Sequence, residues 1–123
     1  MKENKFERKR RLSKRREFLY IQKRGMRSFG KFLVVIGLKA KNLSCGRVGI
    51  TIPKKVGKAH DRNLIKRRVR HILRLQQDLF LNKDIVVIIK ENAITASFSL
   101  LEKDLIHSLE ELHIKRIING QSI

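Results

Sequence analysis

Residues 47–74 read RVGITIPKKVGKAHDRNLIKRRVRHILR, and two periodicities meet inside them. Over 47–52 polar and apolar residues alternate. Val48, Ile50 and Ile52 point one way, and Arg47, Gly49 and Thr51 the other, which is the pattern of a strand with one buried face. Pro53 ends that strand because it has no N–H to give to a ladder. Residues 54–61 then form a loop in which Gly57 permits an unusual backbone turn. From about residue 61 to about residue 79 the spacing becomes helical. With Ile65 as zero and about 100° per residue, Val69, Ile72 and Leu73 fall within about 80° of it. Lys66, Arg70, Asn63, Arg74 and Arg67 fall between about 100° and 200°. One face of this helix can pack on a core while the other projects a ridge of cations.

Working outward, residues 31–38, KFLVVIGL, are β-branched and apolar and read as a strand, and 40–46 as a turn. Residues 26–30, MRSFG, read as a loop. A helix is expected over 13–23, with Ser13 as N-cap, Gly25 as stop, and Phe18 and Ile21 facing inward. Residues 1–11 form a flexible basic arm by composition. Downstream, 82–84 is a turn and IVVII, 85–89, a central strand. A last helix spans 97–112, where Ile94, Phe98, Leu101, Leu105, Leu109 and Leu112 follow three- and four-residue spacing. The tail from Lys115 is expected to fray. The order α-β-β-α-β-α, with room for an extra edge strand, describes an α+β fold: one small sheet packed with helices. The whole of 1–123 reads as a single domain.

The formal net charge is +19, and it is unevenly spread. Residues 1–70 hold 24 Lys/Arg and 4 Asp/Glu, whereas 71–123 hold 6 and 7. Solubility does not require that asymmetry, but a polyanionic partner does. Nucleic acid is preferred over an acidic membrane surface, because the apolar faces are committed to a core rather than free to enter lipid. An acidic protein is the remaining alternative. Hydrophobic content of 41% supports a folded chain despite the charge. The lone Cys45 fits a reducing compartment, and neither a signal peptide nor a membrane span is evident, so a cytoplasmic protein is expected.

Catalytic chemistry leaves little trace. His60, His71, His107 and His113 have no metal-ligand spacing with Cys45 or one another. Asp61 is more simply a helix N-cap or first-turn acid than the partner of His60. Gly57-Lys58 lacks the spacing of a phosphate loop, and no acidic cluster would hold two metals. The binding reading is richer. Lys54, Lys55 and Lys58 lead into a helix carrying Arg62, Asn63, Lys66, Arg67, Arg70 and Arg74. Arginine forks grip phosphate, lysine supplies point charges, and Asn63 can read a ribose hydroxyl or a base edge. Phe18 either fills the core or stacks, partly open, on a nucleotide. A strand rather than a helix lies upstream of the basic helix, which argues against a helix-turn-helix reader of DNA.

The block from Arg47 to Arg70 resembles the core of the bacterial ribonuclease P protein component, with its strand ending in Lys-Lys, its Gly-x-Ala loop and its Arg-Asn-Arg-x-Lys-Arg-x-x-Arg helix. Leu12-Ser-Lys-Arg-Arg-Glu-Phe18 is similar to that family's N-terminal segment, and Asp84 with the strand after it to its late strand. The resemblance implies a noncatalytic subunit that binds a catalytic RNA and helps it remove the 5′ leader of precursor tRNA. It implies Mg²⁺ held mainly by the RNA, and a lowered requirement for that ion. It also implies a sandwich like a ribosomal-protein domain with a left-handed β-α-β crossover. On this chain Lys54, Lys55, Arg62, Asn63, Lys66, Arg67 and Arg70 match the family's RNA-contacting motif and Phe18 its aromatic near the leader; Lys58 and Arg74 join the RNA-contact set, and Lys14 the leader set, on the chain's own basic pattern. Neither membrane nor DNA is an expected partner. The chain departs from the pattern at Leu64, where the family has Arg, and at Lys58, where it has Asn. The alternatives are a ribosomal or ribosome-assembly protein and, more distantly, a protein-only nuclease using His60.

Overall fold

A computed structural model of the chain describes residues 11–40 and 46–118, with the backbone alone over 114–118. Its elements are α1 (Arg15–Arg24), β1 (Met26–Phe29), β2 (Leu33–Lys39), β3 (Val48–Thr51), α2 (Ala59–Leu75), β4 (Lys83–Ile89) and α3 (Phe98–Ile118). The strands form one mixed sheet in the order β1-β2-β4-β3. β1 and β2, and β2 and β4, are antiparallel, while β3 and β4 are parallel and joined through α2. The expected α+β class is what is found. The most apolar strand, β4, is central, as its unbroken apolar run requires when both faces are covered.

The sheet divides two cores. On one face Leu33, Val35, Val48, Ile85 and Val87 pack with Ile65, Val69, Ile72 and Leu73 of α2 and Leu101, Leu105, Leu109 and Leu112 of α3. On the other, Ile36 and Val86 pack with Ile21 of α1 and with Leu12. The four apolar residues expected on the inner face of the basic helix are all buried.

Several boundaries differ from the sequence reading. Residues 26–29 form an edge strand, not a loop. Their alternation was hidden because the inward residue is polar: Ser28 is buried and bonds the Glu111 carboxylate of α3, while Phe29 on the other face is exposed. α1 begins after Lys14 rather than Ser13, because Glu17 reaches back to accept the N–H groups of Lys14 at 3.3 Å and Ser13 at 3.4 Å. Gly25 ends it, and a Cβ there would lie 2.7 Å from Ile36 Cγ2. α2 starts at Ala59, two residues early, and stops at Leu75, after which a 3-10 turn at Gln77–Phe80 buries Phe80. β4 takes in Lys83 and Asp84, leaving the turn to Asn82 in a left-handed conformation. Ile94 sits in a 3-10 turn at Glu91–Thr95, exposed, rather than on the inner face of α3. α3 continues to Ile118, past the expected start of fraying at Lys115. Arg11, assigned to a flexible arm, forms a parallel bridge with Val48. The rest of that arm, Cys45 and most of the 40–46 turn, and residues 119–123 lie outside the described residues.

Asp104 ties α3 to the β1–β2 connection. Its Oδ1 accepts the N–H of Lys31 at 2.9 Å and its Oδ2 that of Phe32 at 2.8 Å. Asp104→Ala strands both donors, the second beside buried Phe32, and should lower unfolding free energy in urea by about 1–3 kcal/mol. A loss within error of zero would show that water replaces the carboxylate.

Candidate nucleic-acid interface

The basic surface begins where β3 ends. Pro53 turns the chain, Lys54–Val56 form a single 3-10 turn, and Lys58 is the N-cap residue of α2. Val56 is buried and anchors this turn, so Lys54, Lys55 and Lys58 project from it exposed. Lys55 approaches Glu91 at 3.5 Å, a pair so exposed that it holds little of the lysine's charge back from a ligand. Arg62 turns inward to the loop: its Nε donates to the Gly57 carbonyl at 3.1 Å, tying the helix start to the turn. Asp61 stands in the first turn of α2, where a negative charge meets the positive end of the helix dipole.

Beyond that turn, Asn63 and Arg67 are exposed, and Lys66, Arg70 and Arg74 are half-buried. Arg74 Nη2 lies 2.8 Å from His71 Nδ1, and the His71 ring leans on Phe98 of α3 at 6.2 Å. The ridge thus has its own braces. Arg70 differs from the others: burial first, and then the charge of Arg11, hold its guanidinium below the ordinary arginine value. Leu64 is half-buried on the flank. Among the described residues the ridge is built by α2 and its entry loop, as the sequence outlines it; Arg11 is the addition that the sequence reading missed. The signal available was the neighbouring Leu12, whose burial makes the segment a strand neighbour rather than an arm.

Phe18 lies on the opposite face of the sheet. It is half-buried, and a Cβ on Gly49 would fall 2.5 Å from its Cε2 and Cζ, so the ring comes closer to the strand than any residue but glycine would allow there. Pairing register aligns side chains in rows across the sheet. The row Arg27, Ile36, Val86 and Gly49 lies beneath α1 and Phe18. The next row is Phe29, Val34, Ile88 and Thr51, in which no residue is fully buried and Phe29 is 72% exposed. Phe18, Val34 and Ile88 therefore border the second core as a partly uncovered apolar strip of the sheet. Lys14, one helical turn before Phe18, is exposed.

A half-buried ion triad fixes α1 over the sheet. Arg47 Nη1 donates to Glu17 at 2.7 Å and its Nη2 to Asp84 at 3.1 Å, while its backbone N–H also reaches Asp84 at 3.0 Å. Chiefly through the Asp84 bond, and against burial, the Arg47 guanidinium is held above its usual value. Burial pushes the Glu17 carboxyl up, but Arg47 and the N–H groups of Lys14 and Ser13 outweigh it and hold the acid below the usual range.

Among the described residues no group of three or more His, Cys, Asp or Glu is placed to hold a metal ion, and no helix is long and apolar enough to cross a membrane.

Comparison with known proteins gives a consistent result. The model of the family described as Ribonuclease P matches residues 6–113. The ribonuclease P protein component of Desulfosudis oleivorans is 43% identical over 101 residues, covering 81% of this chain and 83% of that protein. That of Syntrophus aciditrophicus is 39% identical over 90 residues, 72% of this chain and 75% of the relative. Among solved structures, the RNase P protein of Staphylococcus aureus superposes with a TM-score of 0.77 at 32% identity, covering 82% of this chain and 93% of that one. The Thermotoga maritima RNase P protein gives 0.74 at 33% identity, covering 82% and 96%.

Proposed function

The chain belongs to the ribonuclease P protein family, and from that premise we propose how its two surfaces divide the work. Membership makes it a protein component of the ribonuclease P endoribonuclease, which processes tRNA 5′ ends together with an RNA subunit. The α2 ridge, with Lys54, Lys55, Lys58, Arg62, Asn63, Lys66, Arg67, Arg70 and Arg74, docks the catalytic RNA. The apolar strip beside α1 takes the single-stranded leader of precursor tRNA, with Phe18 stacking on a base and Lys14 on a phosphate. The protein performs no bond chemistry: Mg²⁺ is held by the RNA, and the cations lower the amount required by offsetting phosphate repulsion between RNA and substrate.

The observation that carries this reading is the one-signed ridge on a helix whose other face is locked into the core by Ile65, Val69, Ile72 and Leu73. Such a ridge is rigid, so its cations are already placed when RNA arrives. The test is to purify the tagged chain from its own cells and sequence the bound RNA. Ribonuclease P RNA is expected; ribosomal RNA in its place would favour a ribosome-assembly role.

Phe18→Ala should weaken binding of precursor tRNA that carries a leader by roughly tenfold or more, since stacking is worth about 1–3 kcal/mol per base. Binding of mature tRNA to the same holoenzyme should not change. Equal losses for both substrates would remove the leader from the strip.

A further inference from the structure

Beside β3 two arginines come together, and among the described residues no acid pairs with either. The Leu12 N–H donates to the Val48 carbonyl at 2.8 Å, and Arg11 is the bridge partner of Val48. Bridge partners share a face of the sheet, so Arg11 stands on the Val48 side, where Ile65 and Val69 of α2 pack. Leu12 turns to the other side, beneath Phe18. Arg70 follows Val69 on α2 and feels the charge of Arg11. The Arg11 Nε is buried and has no hydrogen-bond partner, and neither guanidinium has an ion pair among the described residues. Bringing two like charges together, partly desolvated, costs free energy in the free protein. A phosphodiester lying between them removes that cost and satisfies the stranded donor.

We infer that Arg11 and Arg70 form a two-guanidinium clamp for a single backbone phosphate of the bound RNA. The inference rests on the RNA-binding reading and extends it. The clamp lies where the chain passes from the α2 ridge to the strip beside α1, so it joins two surfaces that are otherwise on opposite faces of the sheet.

The test uses the full chain as wild type, Arg11→Gln, Arg70→Gln and the double variant, with two readouts. The first is the melting temperature in sodium sulfate against sodium chloride at equal ionic strength. The second is affinity for ribonuclease P RNA across a salt series. The sulfate-specific rise in melting temperature should shrink in each single variant and shrink no further in the double. RNA affinity should fall about fivefold to tenfold in each single variant, with the log–log salt slope smaller by about 0.7–0.9, the contribution of one phosphate. The double variant should match the singles. Arg11→Lys, which keeps the charge without the fork, should retain the slope at reduced affinity. Additive losses in the double variant, or an unchanged sulfate response in both singles, would overturn the clamp while leaving RNA binding in place. A wild type that responds to sulfate but does not bind the RNA would instead overturn the RNA reading, and with it the assignment of the phosphate.

Discussion

Replacing Lys66, Arg67 and Arg70 together by glutamine should reduce affinity for ribonuclease P RNA by on the order of a few hundredfold near 0.1 M salt. Each neutralised phosphate contributes about 0.7–0.9 to the slope of log affinity on log salt, so three should lower that slope by about 2–3. The fold should survive. The residues that anchor α2 are Ile65, Val69, Ile72 and Leu73, all buried, and none of the three cations has an ion pair to lose among the described residues. Glu110→Ala, on an exposed position of α3, serves as the control and should change neither affinity nor slope. A filter-binding salt series on the two variants separates the outcomes. If the triple variant and the control behaved alike, the ridge would not be the RNA-docking face.

Arg47→Met should cost about 2–3 kcal/mol of unfolding free energy at neutral pH. Removing one member of a buried ion pair typically costs about 3–5 kcal/mol, because the partner is left charged and unsatisfied. Here the cost is smaller: the Arg47 side chain is 35% exposed and that of Glu17 25%, so water takes up part of the role. The Asp84 side chain is only 8% exposed, and after the substitution it keeps just the backbone N–H of residue 47. The sign of the pH dependence follows from Glu17. Its carboxyl sits below the usual range in the folded chain, so its contribution is present above the unfolded-state value and is lost as pH falls through the folded one. The gap between wild type and variant should therefore be widest near neutrality and narrow through the carboxylate range. A gap that stayed constant with pH would mean that Arg47 acts through packing alone. Because the triad holds α1, and Phe18 with it, the variant should also bind leader-bearing precursor tRNA less well than its ribonuclease P RNA affinity would suggest.

The sequence made the ridge legible because helical spacing and charge coincide on it. The step from Val48-Ile50-Ile52 alternation to Ile65-Val69-Ile72 spacing marks a strand feeding a helix, and that unit proved to be β3 and α2. What stayed hidden depends on contacts between distant positions. β1 has only four residues, one of them a buried serine satisfied from α3, so no local pattern revealed it. Arg11 read as arm because it is one more cation in a basic run; only its bridge to Val48 brings it to Arg70. Arg47 read as an outward strand residue, and its outward face is where Glu17 and Asp84 converge. Ile94 fitted the spacing of α3, yet it precedes that helix and rests against Gly57 at the entry to α2. Leu64 interrupts the family pattern on the helix flank, beside rather than within the row of Lys66, Arg70 and Arg74.

The central claim is that this chain lets a catalytic RNA cleave precursor tRNA under conditions where the RNA alone is slow. The direct measurement is cleavage of a leader-bearing precursor tRNA by the cognate ribonuclease P RNA across a Mg²⁺ titration, with and without the purified protein. The account predicts that the protein shifts the Mg²⁺ midpoint downward and is inactive without the RNA. Identical Mg²⁺ curves with and without protein, or cleavage by the protein alone that is lost in His60→Ala, would contradict it.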